Sequence, residues 1–165
     1  MISEKERYTN VAKKWLEEFL ERNYSKTHNI KVIIPSTNIS KIETEEIKKY
    51  PNYSIMDFYS DLIGILISKK DKNDIGLVLL NRSTNPINVK EIGEMNIYSN
   101  IVKPEASFIV SLKGLPNEVS SLLLDEDICS SLLTYENKNI IILRLDWAGK
   151  VDKKGTFPRE FKDSF

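Results

Sequence analysis

The stretch GLVLLNRSTNPINVKEIGEMNIYS, residues 76–99, decides how the rest of the chain is read. Leu77 to Leu80 make a short apolar run of strand length, and Asn88 to Ser99 read as a capped helix. Asn88-x-x-Glu91 resembles a capping box with Asn in place of Ser or Thr, each side chain taking the other residue's backbone N–H. Val89, Ile92, Met95 and Ser99 then share one helical face, flanked by Ile97, Tyr98, Ile101 and Val102, and Lys103-Pro104 ends the run. Between strand and helix stand Asn81, Arg82 and Ser83. Strand ends are where open α/β sheets place ligands. Side chains two apart on a strand share a face. If the strand continues through Ser83, Asn81 and Ser83 therefore point the same way and Arg82 faces away from them.

Working outward, DLIGILISKK from Asp61 is a strongly apolar strand, and the charged stretch KDKNDIG turns it back into IGLVLLN as an antiparallel hairpin. Ser3-x-x-Glu6 is a capping box for a first helix carrying Tyr8, Val11, Ala12, Trp15, Leu16, Phe19 and Leu20 on one stripe, through about Asn23. NIKVIIPS is a short strand stopped by Pro35. Ser40-x-x-Glu43 predicts a short helix through about Tyr50, and YPNYSIMDFYS reads as irregular or as a strand edge. Downstream, ASFIVSL is a third strongly apolar strand, broken by Gly114-Leu115-Pro116. Pro116 suits the first helical position of PNEVSSLLL, the helical stretch DEDICSSLLTY follows, and KNIIILRLDW is the last strand. Residues 1–150 read as a single domain, and 151–165 as a polar C-terminal tail with apolar punctuation that either docks or frays. The strand–helix–strand steps after residue 75 imply right-handed parallel crossovers. The fold class is α/β, a mixed central β-sheet flanked by helices on both faces.

The totals narrow the function. The chain has 165 residues, enough for one substantial core, and Lys+Arg and Asp+Glu balance at 24 each. A bulk cationic footprint for nucleic acid is absent, so any such surface is a local patch. One cysteine, Cys129, excludes a disulfide framework, and with the single His28 no Cys/His zinc site can be built in one chain. Cys129 reads as a small, half-buried helix residue and His28 as a surface loop residue. Phosphate-loop, dinucleotide and hydrolase-elbow motifs are missing. MISEKERYTN has no apolar signal core, and no apolar run approaches the ~18 residues that span a bilayer, so the expectation is a cytoplasmic chain without a membrane partner.

One constellation remains: a carboxylate, Asp61, opening one strand of a hairpin; Asn81 and Ser83 at i and i+2 on the next; then a helix bearing Glu91, Glu94 and Tyr98. This arrangement resembles the PD-(D/E)XK nuclease superfamily, whose text runs roughly PD-x-h-G-h, then hhh-E-h-K, then Q-x-x-x-Y, with h apolar. SDLIGIL matches the first segment, with Asp61 as the family's Asp. VLLNRS occupies the second, and GEMNIYS the third, with Glu94 at the Gln position and Tyr98 at the Tyr position. The likeness extends over about residues 1–147. It implies a restriction-endonuclease-like three-layer fold, with a Mg2+ or Mn2+ site that activates water against a phosphodiester.

The chain departs from that pattern where the chemistry lies: the E-x-K acid is Asn81, a neutral and weaker ligand, and the Lys is Ser83, which carries no charge. The first expectation is therefore a degraded metal site with no cofactor. The chain would be a noncatalytic nucleic-acid-associated or subunit-interaction module, a homodimer or the companion of an active nuclease subunit. The second is an active metal-dependent nuclease of DNA or RNA, with the ion held by Asp61 and Glu94 and charge supplied by Lys90 or Arg82. The third is a protein-interaction scaffold with no nucleic acid role. Plain structural readings stand beside these. Asp61 can terminate a strand, NRSTN can be a polar turn, Glu91 a cap, Glu94 a solvated residue and Tyr98 a core residue. Lys69, Lys70 and Lys72 look like a soluble hairpin tip, and Trp15 and Phe19 like core; Trp147 at the last strand's end is left open.

Overall fold

The computed structural model describes residues 1–165. Its elements are α1 (Glu4–Tyr24), β1 (His28–Ile33), α2 (Glu45–Lys48), β2 (Leu62–Ser68), β3 (Ile75–Ser83), α3 (Val89–Val102), β4 (Ala106–Ser111), α4 (Asn117–Leu123), α5 (Glu126–Leu133), β5 (Thr134–Tyr135), β6 (Lys138–Leu145) and β7 (Val151–Phe157). The strands form one mixed seven-stranded sheet in the order β1-β2-β3-β4-β6-β5, with β7 also on β6. β1, β2 and β3 run antiparallel, and β3, β4 and β6 parallel, as the crossovers through α3 and through α4–α5 require.

Both capping boxes form. Ser3 and Glu6 exchange backbone–side-chain bonds at the start of α1, and Asn88 and Glu91 do the same at α3. α1 covers one face of the sheet with an aromatic core: Trp15 and Phe19 meet Phe108 edge-on at 5.2 and 5.1 Å between ring centroids. A Cβ at Gly64 would stand 2.7 Å from Leu20 Cδ1, so glycine lets α1 lie close on β2. The other face is aliphatic, packing α2, α3, α4 and α5 through Ile47, Ile92, Met95, Val119, Leu123 and Leu133. No helix is long and apolar enough to cross a membrane.

Four expectations change. KNIIILRLDW is not the last strand: residues 151–165 dock, with β7 pairing antiparallel with β6 and Phe165 packing 5.8 Å from Phe108 between ring centroids. An edge strand touches the core on few positions, so its sequence stays polar (here KVDKKGT) and mimics a tail. The helix predicted from Ser40 is instead a 3-10 turn at Ile39–Lys41 and the single turn of α2. Backbone bonds from Ile39 N to Phe58 O and Ser40 N to Met56 O pin that segment to its neighbour. His28 opens β1 rather than lying in a loop, its Nδ1 2.7 Å from Thr27 Oγ1. Pro116 is the N-cap of α4, one residue before the position expected. Trp15 and Phe19 are core, Cys129 is half-buried, and Trp147 is exposed beneath the Arg7 guanidinium, 5.1 Å from its ring centroid.

Candidate functional site

β2 begins one residue after Asp61, and its last ladder partner on β3 is Leu80, opposite Leu62. β3 runs three residues further, where β4 alone pairs it, Asn81 opposite Ile109 and Ser83 opposite Ser111. The main chain of Arg82 on the vacated side needs a partner. Asp61 supplies it: Arg82 N donates to Asp61 Oδ2 at 2.9 Å. Asn81 returns the bond, its Oδ1 accepting from Asp61 N at 3.1 Å and from Ser60 Oγ at 3.3 Å. Asp61 and Asn81 thus extend the hairpin ladder by one rung with side chains in place of backbone. Ser83 Oγ accepts from Asn85 N at 3.0 Å and turns the chain toward α3.

The i, i+2 geometry holds. Asn81 and Ser83 lie on the face toward α3, while Arg82 crosses to the α1 face, where its Nε donates to Thr9 Oγ1 at 2.7 Å. From there its guanidinium still reaches Asp61, Nη1 standing 3.7 Å from Oδ2 with both side chains mostly buried. A cleft of about 290 Å³ opens on the α3 side, and its walls include Asp61, Asn81, Ser83, Glu91, Glu94 and Tyr98. Asp61, Asn81, Ser83, Glu91, Glu94 and Tyr98 thus share one cleft with Tyr59 and Arg82, while Lys90, the other candidate source of charge, is not among its walls. Their engagements are largely structural. Glu91 Oε2 accepts from Asn88 N, Glu94 stands 3.9 Å from Lys90 Nζ, and the Tyr98 ring stacks on Phe58 at 4.2 Å. Burial, chiefly, raises the Tyr59 and Tyr98 phenols above their ordinary range, so both stay protonated donors near neutral pH.

The donor set does not fit a resident Mg2+ or Mn2+. Such an ion takes about six oxygens, usually with one or two carboxylates, at near-octahedral angles. Here a guanidinium stands against the Asp61 carboxylate, and Asn81 Oδ1 already accepts from Asp61 N. No group of three or more His, Cys, Asp and Glu side chains is arranged to hold a metal ion.

Two features of the site were not legible in the sequence. Thr9 sits on α1 beside the apolar stripe and anchors Arg82 across 73 positions of chain, a separation no local pattern reports. Tyr59 comes from the irregular stretch and forms the wall shared with a second groove of about 610 Å³, bounded also by Ile2, Ile34 and Arg82. No protein-family model, curated protein or solved structure matches the chain.

Proposed function

We propose that this chain is a noncatalytic module on a restriction-endonuclease-like scaffold, one that works by binding a polypeptide subunit. One observation carries the reading: the carboxylate at the Asp61 position accepts the Arg82 main chain and faces its guanidinium, as a structural cap does. The element order and the gathering of Asp61, Asn81, Ser83, Glu94 and Tyr98 on one cleft support the scaffold. The charge of the cleft favours a polypeptide over a nucleic acid. Three carboxylates, Asp61, Glu91 and Glu94, line it against the one cation Arg82, with Lys90 paired to Glu94 outside it, so the cleft itself offers no cationic surface to a phosphate backbone.

The test is a cleavage and binding assay on the whole chain. Labelled single- and double-stranded DNA and RNA are incubated with Mg2+ or Mn2+, beside Asp61→Ala. The expected result is no cleavage and no salt-sensitive retention of either nucleic acid. Metal-dependent cleavage that vanishes in Asp61→Ala would overturn the reading in favour of an active site around Asp61 and Glu94. Salt-sensitive binding without cleavage would keep the noncatalytic reading and replace the polypeptide by a nucleic acid.

A further inference from the structure

The two edges of the sheet are finished differently. On the β7 edge the chain covers its own main chain: Arg159 Nη1 donates to Lys153 O, Lys154 O and Thr156 O at 2.8, 3.0 and 3.1 Å. Asp152 caps Lys154 N there as well, and the β6–β7 register is broken by an irregularity between Ile142 and Arg144. Side-chain plugs and bulges are the usual means of blocking strand addition.

The β1 edge has none of these. Lys69 N donates to Thr27 O, so in the β1–β2 ladder the odd residues, Asn29, Lys31 and Ile33, turn their N–H and C=O groups toward β2. The same alternation turns the main chain of Ile30 and Val32 outward, and no side chain or loop bonds to it. No residue of β1 is fully buried. We infer that β1 is a docking edge for an extended segment of another polypeptide, one that alternates apolar and acidic side chains.

The alternation follows from the two faces of β1. Ile30 and Val32 are half-buried against the α1 core, so an added strand next to them completes that core with apolar side chains. Asn29 and Lys31 face the other way, and Lys31 is exposed beside its single partner Glu46. Lys26 and Lys70, at the same end of the hairpin, have no ion-pair partner, and Lys69 has only the Ser25 carbonyl. Acidic side chains there meet Lys31 in competition with Glu46, and Lys26, Lys69 and Lys70 beyond the His28–Ser68 end of the ladder. A second copy of β1 would instead bring Lys31 and its cationic neighbours against themselves. The inference does not depend on the nuclease-like reading of the cleft, and a failure of either leaves the other standing.

The experiment is amide hydrogen exchange on the full chain, free and with an end-blocked octapeptide alternating valine and glutamate. In the free chain Ile30 and Val32 are expected to exchange fast, while Lys31 and Ile33 are protected. Peptide at about ten times its Kd slows the two outward amides about tenfold, the mass-action factor. The same peptide with lysine in place of glutamate gives no slowing. Val32→Pro, which removes only an outward donor on an edge strand, abolishes the effect while the thermal midpoint is kept. Should that variant unfold, Lys31→Glu serves instead, reversing the preference between the two peptides. Protection of Ile30 and Val32 equal to that of Lys31 in the free chain would overturn the proposal, as would protection by both peptides or by neither. Protection that grows with protein concentration alone would assign the edge to a second copy.

Discussion

On its α1 face, β3 sends Val78, Leu80 and Arg82 beneath a helix, where two aliphatic side chains join the aromatic core and the guanidinium is tied to Thr9. On its α3 face the same strand sends Leu77 and Leu79 into the aliphatic core, then Asn81 and Ser83 into an open cleft. The alternation that makes one face solid therefore ties the strand's one cation to Thr9, so that the guanidinium borders the cleft only where it meets the Asp61 carboxylate. Which side of the strand a residue occupies thus sets how its charge is used: Arg82, adjacent in sequence to Asn81 and Ser83, is held from the α1 face and reaches the cleft only at its Asp61 wall.

The sealed face carries the largest expected effect. Phe108, 1% exposed and ringed by Trp15, Phe19 and Phe165, is the centre of the α1 core. Phe108→Ala is expected to cost about 3–5 kcal/mol by urea unfolding, as large-to-small changes at packed aromatics do. A loss of the same size from Tyr98→Ala in the cleft would erase the contrast between the faces. Asp61→Ala comes next. It leaves Arg82 N without its acceptor and a mostly buried guanidinium without its counter-charge, which costs about 2 kcal/mol. For a chain of 165 residues that is a drop of about 4–8 °C in Tm. Glu94→Gln, on the other wall of the cleft, is expected to change stability by less than about 0.5 kcal/mol, because its one ion pair is exposed. Equal losses for Asp61→Ala and Glu94→Gln would mean that the Asp61 cap carries no special weight.

The far end of the α3 face is closed, and its tyrosines give the contrast a pH dependence. Tyr50 donates to Val102 O and Tyr135 to Pro104 O, and burial, chiefly, pushes each phenol up to about 12. The neutral phenol is the protonated form, and the unfolded chain releases that proton near pH 10. The stability they contribute is therefore whole below about pH 10 and is lost as pH rises toward about 12. Urea midpoints across this window should fall, and the fall should shrink in Tyr50→Phe. A flat profile would show that these phenols ionise without opening the fold.

How much of this could be read in advance follows from the range of each interaction. Capping boxes span three residues, so both helix starts that depend on them, at Ser3 and Asn88, were legible. The strands β2, β3, β4 and β6 announce themselves by near-continuous apolar runs, because helices cover them on both sides. β7 has a solvent edge and reads as polar. Ser40-x-x-Glu43 has the letters of a cap, but the bonds of that segment to Met56 and Phe58 outweigh it. Within the site, the sharing of a face by Asn81 and Ser83 came from strand geometry alone. The Arg82–Thr9 and Arg82–Asp61 links join elements far apart in the chain, and no spacing encodes them.

The smallest expected effect is the most informative. Asn81→Glu with Ser83→Lys writes the acid and the lysine of the nuclease-like pattern back onto the α3 face of β3. Were the two letters all that the cleft lacks, the double variant would cleave nucleic acid with Mg2+ or Mn2+, and Asp61→Ala would abolish that cleavage. The expected outcome is no cleavage. Asp61 would still accept from Arg82 N and face the guanidinium, since neither substitution touches Arg82, its anchor Thr9 or the strand end that exposes its N–H. Asn81→Glu also removes the carbonyl-to-amide fit with Asp61 N only in part, because a carboxylate accepts the same bond, so the cap survives. Cleavage by the double variant would mean that the pair around Asp61 yields to a metal ion, and that the difference between this cleft and a working one lies in side-chain letters. Continued silence, with the fold intact by its Tm, places the difference in the cross-strand pair, which the α1 face holds in position.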